Sequence, residues 1–453
     1  MGDGMQQLVD QINSYVWSPA LVYLCLAAGL FFSILTRFVQ VRMFKEMIHL
    51  LFSSKESEQG ISSFQALSVS LSGRVGTGNI AGVAAAIGFG GPGAVFWMWI
   101  VAFLGAATAY VESALGQIYK EEDEGQYRGG PAYYIEKAMG QKWYAWIFAL
   151  TTIIAVGLLL PTVQSNAIGN AVELAVGANG VLQTSIGDVS YTKLATATIV
   201  VSVLGIIIFG GVKRIAHFTQ IVVPFMALGY ILMALVIIGM HITALPGIIM
   251  TIVTDAFTPM AGVGAAIGWG VKRGVYSNVA GQGTGPLAAA ASEVQHPAQQ
   301  DLVQAFSVYV DTLFVCSATA FMILITNQYY VTGIESSISG GLLGTDIQAN
   351  SPAFTQLALE SVMGGFGKTF VAVALFFFAF TTLLAYYYIA ETNVAYIRRT
   401  FRFPGELTVL KVILLGSVFY GTVRTADLAW GLGDIGVGVM AWLNIIGILI
   451  LFL

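Results

Sequence analysis

Between Ser72 and Gly82 the chain reads Ser-Gly-Arg-Val-Gly-Thr-Gly-Asn-Ile-Ala-Gly, inside an apolar stretch from about Ile61 to Phe89. Gly73, Gly76, Gly78 and Gly82, with charged Arg74 and polar Thr77 and Asn79, disfavour an unbroken helix, since an interior glycine costs ~1 kcal/mol relative to alanine. A helix restarting near Thr77 presents free backbone N–H groups and the positive end of its dipole, which suit a carboxylate. The carbonyls left over from the preceding half, around Ser72, Gly73 and Val75, suit a small hard cation. Such a cation wants further neutral oxygen ligands. Thr381-Thr382 offers two hydroxyls in the otherwise apolar run Phe-Phe-Phe-Ala-Phe-Thr-Thr-Leu-Leu. Two bland readings stand beside these: glycines in membrane helices often serve close packing, and mid-helix threonines often bond to their own i−4 carbonyls.

The elements that must position these groups are membrane helices. Hydrophobic residues make up 57% of the 453 residues and charged residues 10%, against roughly 25% charged in soluble domains, and the mean hydropathy is +0.78. The composition therefore gives an all-α polytopic membrane protein forming one transmembrane domain over residues 1–453. Apolar runs long enough to cross ~30 Å of hydrocarbon number eleven: a lead helix at 17–37 and ten core segments. The first five core segments occupy 61–240 and the last five 257–453. The net charge of −4 is small and dispersed, which recommends no nucleic-acid partner. Cys25 and Cys316 lie in apolar segments, support no disulfide framework and leave the redox compartment undecided. Asp3 and Asp10 replace the basic region of a cleavable signal peptide.

Lysine and arginine orient the bundle. Arg37, Arg42, Lys45 and Lys55, then Lys120, Arg128, Lys137 and Lys142, then Lys213 and Arg214, then Arg398, Arg399, Arg402 and Lys411 fall on alternate loops, while Lys193, Lys368 and Arg424 fall opposite. The basic side is read as cytoplasmic, which puts the N-terminus of this multi-pass cell-membrane protein outside.

Arg74-Val-Gly-Thr-Gly-Asn79-Ile-Ala-Gly82 recurs as Arg273-Gly-Val-Tyr-Ser-Asn278-Val-Ala-Gly281, and Gly-Pro follows both copies, at Gly91-Pro92 and Gly285-Pro286. The two copies lie five crossings apart, so the chain reads as a five-plus-five inverted repeat with broken core helices 1 and 6. Paired interruptions in inverted halves point to a midplane transport site. Arg74, Lys272, Arg273, Glu112 and Asp311 are ionisable residues inside spans, costly unless paired or wet. Glu112 is expected to answer Arg74 or to hold free N–H groups of the breaks, a plain interfacial carboxylate being the alternative; Asp311 is expected to answer Lys272 or Arg273. Gln164, Ser165, Asn166 and Asn170 are candidates to line the pocket, and Trp269 and Tyr276 to wall it.

Enzyme signals are poor. Gly365-Phe-Gly-Lys-Thr369 has Val362 where a phosphate-binding loop needs glycine, Gly76 to Gly82 misses the dinucleotide fingerprint, and His49, His217, His241 and His296 make no metal-ligand spacing. An ion channel would use similar broken helices, and a membrane receptor or scaffold would bind its ligand without moving it, but the inverted repeat favours a transporter over both.

Gly90-Gly-Pro-Gly-Ala-Val-Phe-Trp-Met-Trp-Ile-Val-Ala-Phe-Leu-Gly105 resembles the signature of the alanine or glycine:cation symporters, and Ser72 to Gly82 and Arg273 to Gly283 resemble other blocks of that family. The resemblance covers essentially the whole chain. It implies the leucine-transporter architecture with one added helix, and sodium-coupled import of alanine or glycine by alternating access, proton coupling being the alternative. It implies that the N–H groups of Thr77 and Gly78 meet the substrate carboxylate, within a site of Val75, Thr77, Gly78, Asn79 and Gln164. From helix 6 it adds Gly274, Val275, Tyr276, Ser277 and Asn278, taken as the broken part. It also implies a co-transported sodium ion among the carbonyls of Ser72, Val75 and Phe378 and the hydroxyls of Thr381 and Thr382. Gly73 and Arg74 replace an Asn-Ala pair of that fold, which favours one sodium per cycle. A single copy is the expected working unit.

Overall fold

The computed structural model describes residues 2–52, 61–123, 125–184, 187–258, 262–333, 347–402 and 404–452. Among them, eight helices are long and apolar enough to cross a membrane: Gly93–Ile118, Lys142–Val176, Tyr191–Ile208, Val212–Met240, Pro297–Ile325, Gly367–Arg398, Glu406–Val423 and Ala426–Phe452. A ninth arises if Gly4–Val16 and Pro19–Leu35, bent by 42°, are one span. The expected segments outside this set are the lead helix, and the two interrupted helices, each of which is divided into pieces shorter than a span.

The first interrupted helix runs Ser63–Arg74, stops, and resumes as a π-helical turn Gly78–Gly82 followed by Val83–Gly90. Its start is fixed by a capping box, in which the Ser62 hydroxyl accepts from Gln65 N–H and the Gln65 side chain accepts from Ser62 N–H, satisfying donors that a helix start leaves open. It ends in a sharp reversal at Gly91, whose φ of +77° a side chain would resist. The Asp255 carboxylate accepts from Gly93 N–H at 2.7 Å just beyond.

The second interrupted helix runs Val263–Asn278 and resumes at Gly285–Ala290. The sequence reading placed its break at Gly274 to Asn278 and its start at Phe257. Phe257 instead ends a separate helix, Leu245–Phe257, and the chain stays helical through Asn278. The backbone turns out of the helix at Val279 (φ 52°), Gly281 (82°) and Gly283 (81°). Gly73, Gly76, Gly78 and Gly82 take no positive φ at the first break, so the two breaks are built differently.

Small residues bring these helices together. Cβ atoms added at Gly270 and Gly274 would lie 2.5 Å from the Ala94 carbonyl and 2.3 Å from Val101 Cγ1. Both glycines therefore seat Val263–Asn278 against Gly93–Ile118. Elements that apolar-run reading misses are short or amphipathic: Gly2–Val16, Pro131–Met139, Ala353–Met363 and two hairpins, Glu121–Asp123 with Gln126–Arg128 and Val181–Thr184 with Gly187–Ser190.

Candidate functional site

The first break leaves two carbonyl oxygens aimed at one hydroxyl, which also meets the i−4 carbonyl of its own helix. Thr382 Oγ1, on Gly367–Arg398, lies 2.8 Å from Ser72 O, 3.4 Å from Val75 O and 2.9 Å from Phe378 O. Thr381 Oγ1 lies 3.0 Å from Phe378 O and 2.9 Å from Phe377 O. A hydroxyl has one hydrogen and can satisfy one of those carbonyls at a time. Ser72, Val75, Phe378, Thr381 and Thr382 are all buried. They form a cluster of neutral oxygens without a carboxylate, a donor set suited to a small hard cation.

The opposite side of the break faces N–H groups. Gly76 N–H donates to Asn79 Oδ1 at 2.8 Å and Thr77 N–H to Gln164 Oε1 at 3.0 Å. Gln164 Nε2 reaches the Tyr386 hydroxyl at 3.3 Å. The Gln164 amide oxygen thus sits on the N–H group that the sequence reading reserves for a carboxylate. Gly76 and Gly78 keep this region open to its neighbours. A Cβ at Gly76 would lie 2.4 Å from Thr382 Oγ1 and 3.0 Å from Gln164 Oε1, and one at Gly78 would lie 3.1 Å from Tyr276 Cδ1 and 3.2 Å from Ser277 Cα. Val75, Thr77, Gly78, Asn79, Gln164, Tyr276 and Ser277 are therefore gathered around the first break.

Other candidates are placed differently. A Cβ added at Gly274 would meet Val101 and Met98, which places that side of the residue in packing against Gly93–Ile118. Gly274→Leu is expected to destabilise the protein by about 1–3 kcal/mol through overpacking without narrowing the range of amino acids bound. Thermal unfolding in detergent and competition binding check the two halves of that statement. The Val275 carbonyl accepts from Gln282 Nε2 and Asn278 Oδ1 from Ala280 N–H, both serving the second break. Ser165 bonds to Thr162 O, and Asn166 to the carbonyls of Gly421 and Arg424, with Asn170 behind it. Asn166 thus ties Lys142–Val176 to the end of Glu406–Val423, while Ser165 and Asn170 bond within their own helix.

The buried ions find partners across the bundle, with Arg74 Nη2 and Arg273 Nε left without one among the described residues. Arg74 Nε donates to Asn278 O at 2.7 Å, and its Nη1 to Ser70 Oγ, Gln304 Oε1 and Ser307 Oγ. The guanidinium so braces the end of one half-helix against the last carbonyls of another, where a cation is favoured. Glu112 holds the second break, accepting from Gly281 N–H at 3.3 Å, Gly283 N–H at 3.2 Å and Asn444 Nδ2 at 2.8 Å. Asp311 does not answer Lys272 or Arg273. Asp434 does, at 2.7 Å from Lys272 Nζ and 2.8 and 2.9 Å from the two Arg273 nitrogens. This bidentate pair lies under Trp430, whose ring centre is 4.4 Å from the Arg273 guanidinium carbon and 5.0 Å from the Tyr276 ring. It forms the floor of a cavity of about 590 Å³ with Trp269, Asp10, Trp17 and Asp427 in its walls. Asp434 was legible as an acid inside the last apolar run; Trp430, Tyr386 and Gln304 carry no local signal, because nothing in an apolar helix marks which aromatic or amide turns inward.

Residues 2–453 match the model of the sodium:alanine symporter family. The chain belongs to that family. It is a membrane transporter, not an enzyme. It is 56% identical over 452 residues to the putative sodium/proton-dependent alanine carrier protein YrbD of Bacillus subtilis (strain 168), covering 99% of this chain and 90% of that protein. It is 47% identical over 412 residues to the sodium/proton-dependent alanine carrier protein of Bacillus sp. (strain PS3), covering 90% and 89%. Among solved structures, MhsT in complex with L-phenylalanine superposes with a TM-score of 0.56 at 15% identity, covering 87% of this chain and 99% of that one. That likeness is one of fold, the leucine-transporter arrangement.

Proposed function

We propose that this chain imports small neutral amino acids, alanine and glycine, together with a sodium ion by alternating access across the cell membrane. The observation that carries the reading is the convergence of Ser72, Val75 and Phe378 carbonyls on the Thr382 hydroxyl. Sodium enters this cluster as cargo, held by those three carbonyls with Thr381 and Thr382. The names of the Bacillus relatives support alanine as the organic substrate and a coupled cation.

The substrate carboxylate docks on the N–H groups of Thr77 and Gly78, displacing the Gln164 amide oxygen, which then turns to the substrate. Val75, Asn79, Tyr276 and Ser277 complete the enclosure. With Gly78 in contact with Tyr276 and Ser277, the space left for a side chain suits a hydrogen or methyl group. A carboxylate met by helix ends and an amine met by carbonyls need no charged side chain.

The eleven-crossing topology, with the N-terminus outside and two inverted halves of five helices, supplies the motion. Rocking one half against the other exposes the same site in turn to either side. The Arg273–Asp434 floor then closes the outer approach and the Arg74 brace the inner one. A single copy contains the whole site.

Uptake of labelled alanine into liposomes holding the purified protein tests the reading. Accumulation above the outside concentration is expected with an inward sodium gradient and not with potassium in its place. Equilibration indifferent to every gradient would indicate a channel, and binding without uptake a receptor; either would sink coupled transport. Accumulation driven equally well by a proton gradient alone would remove sodium from the reading.

A further inference from the structure

Asp311 is fully buried in a π-helical turn, Val310–Cys316, within Pro297–Ile325, a distortion frequent at functional sites. It accepts from Asn79 Nδ2 at 2.7 Å, from Ser277 Oγ at 3.0 Å and from Thr312 Oγ1 at 2.8 Å. It therefore joins the first interrupted helix to the second. No Lys, Arg or His nitrogen of the described residues lies within 4.0 Å of it.

Most groups facing it from the neighbouring helices are engaged elsewhere. Arg74 acts on it through space; its Nε and Nη1 bond Asn278, Ser70, Gln304 and Ser307, and its Nη2 has no partner among the described residues. Glu112 holds Gly281 and Gly283, Arg273 is paired with Asp434, Tyr230 bonds Thr319, Tyr276 packs on Trp430, and the Cys316 thiol lies against Ser277 and Asn79. A carboxylate with no cation in contact is expensive at that depth, and such residues in membrane proteins commonly belong to ion or proton paths.

The surroundings favour a proton over a second metal ion. Gly76 N–H can only donate, so Asn79 must turn Oδ1 to it and Nδ2 to Asp311. Asn79 thereby presents to Asp311 an amide nitrogen, which cannot ligate a cation, and leaves there only the carboxylate's own oxygens and the Ser277 and Thr312 hydroxyls. Two of the donors are hydroxyls, which can donate to a carboxylate or accept from a carboxylic acid by rotating. Both protonation states are thus accommodated without moving the backbone. Asn79 transmits the difference, because one amide bonds both Asp311 and the Gly76 N–H beside the sodium and carboxylate positions.

We propose that Asp311 carries a proton in the transport cycle, taken up with alanine from the outer side and released to the inner side. On uptake a hydronium O–H bond breaks, leaving water, as an O–H bond forms on the Asp311 carboxylate; on release that Asp311 O–H bond breaks and the proton passes to water as hydronium. This rests on the reading of the chain as a sodium-coupled alanine carrier.

The test begins with wild-type protein in liposomes under an inward sodium gradient, with a pH dye inside and alanine added outside. Interior acidification in step with alanine uptake is expected. Uptake without proton movement would overturn the proton site and leave the carrier reading intact; absence of sodium-driven uptake would remove the carrier reading itself. Alanine binding by purified protein is then measured by calorimetry across pH. Uptake of one proton with alanine makes the affinity vary by up to about tenfold per pH unit. Asp311→Asn is expected to flatten that dependence, and a dependence unchanged in the variant overturns the proposal. Should Asp311→Asn fail to bind alanine, Asp311→Glu decides: retained proton uptake with a displaced pH midpoint supports the site, and an unchanged midpoint overturns it.

Discussion

Gly76→Ala is expected to abolish sodium-driven alanine uptake, by about 100-fold or more, in a protein that still folds. The added methyl group would lie 2.4 Å from Thr382 Oγ1, 3.0 Å from Gln164 Oε1 and 3.3 Å from Thr382 Cβ. The first two atoms belong to the two halves of the proposed site, one toward sodium and one toward the carboxylate. Overpacking of this kind costs about 1–3 kcal/mol in stability, which a membrane bundle of this size can absorb. The functional loss is larger, because a displacement near 1 Å of positioning groups can alone cost about 100-fold in rate. Gly229→Ala, in the Val212–Met240 helix with nothing within 4 Å of its added Cβ, is the matched control and should transport normally. Size-exclusion chromatography and a melting curve establish folding; uptake near the wild-type rate in Gly76→Ala would show that the space between Thr382 and Gln164 is not the transport site.

Where the helices break was legible because glycine and polar residues in an apolar run conflict with a continuous helix. The position of the first break follows from that conflict, and Thr381 and Thr382 follow from the need for neutral oxygens. The second break was displaced because the repeat was aligned on Asn79 and Asn278, while the backbone leaves the helix where Val279, Gly281 and Gly283 take positive φ. Periodicity in an apolar segment cannot tell which face meets a partner. Hence it did not foresee that Gly274 turns its open side to Val101, or that Asn166, a candidate pocket lining, bonds Gly421. Ion pairing across the bundle was the least legible. Asp434 and Arg273 are 161 residues apart, and a single chain gives no rule for which buried acid finds which base. What the sequence does give is the obligation that each such charge find partners, and Arg74, Glu112 and Arg273 all meet it.

Thr382→Ala is the second large effect, and it separates sodium from alanine. Thr382 contributes the hydroxyl on which the carbonyls of Ser72, Val75 and Phe378 converge, and it contacts none of the N–H groups proposed for the carboxylate. Losing one uncharged oxygen ligand from a bound ion is comparable to losing a hydrogen bond to a charged group, about 1.5–3 kcal/mol. That corresponds to roughly a 10- to 100-fold rise in the sodium concentration for half-maximal uptake. At saturating sodium the rate of alanine uptake should recover most of its wild-type value. Thr382→Ser keeps the oxygen and should stay within about threefold of wild type, since only a methyl group is lost. An unchanged sodium requirement in Thr382→Ala would remove sodium from this cluster. Loss of alanine uptake at every sodium concentration would instead make Thr382 a structural link, whose bond to Ser72 holds Gly367–Arg398 against the broken helix. The two outcomes differ physically because a ligand deficit is titrated away by more ion, whereas a misplaced helix is not.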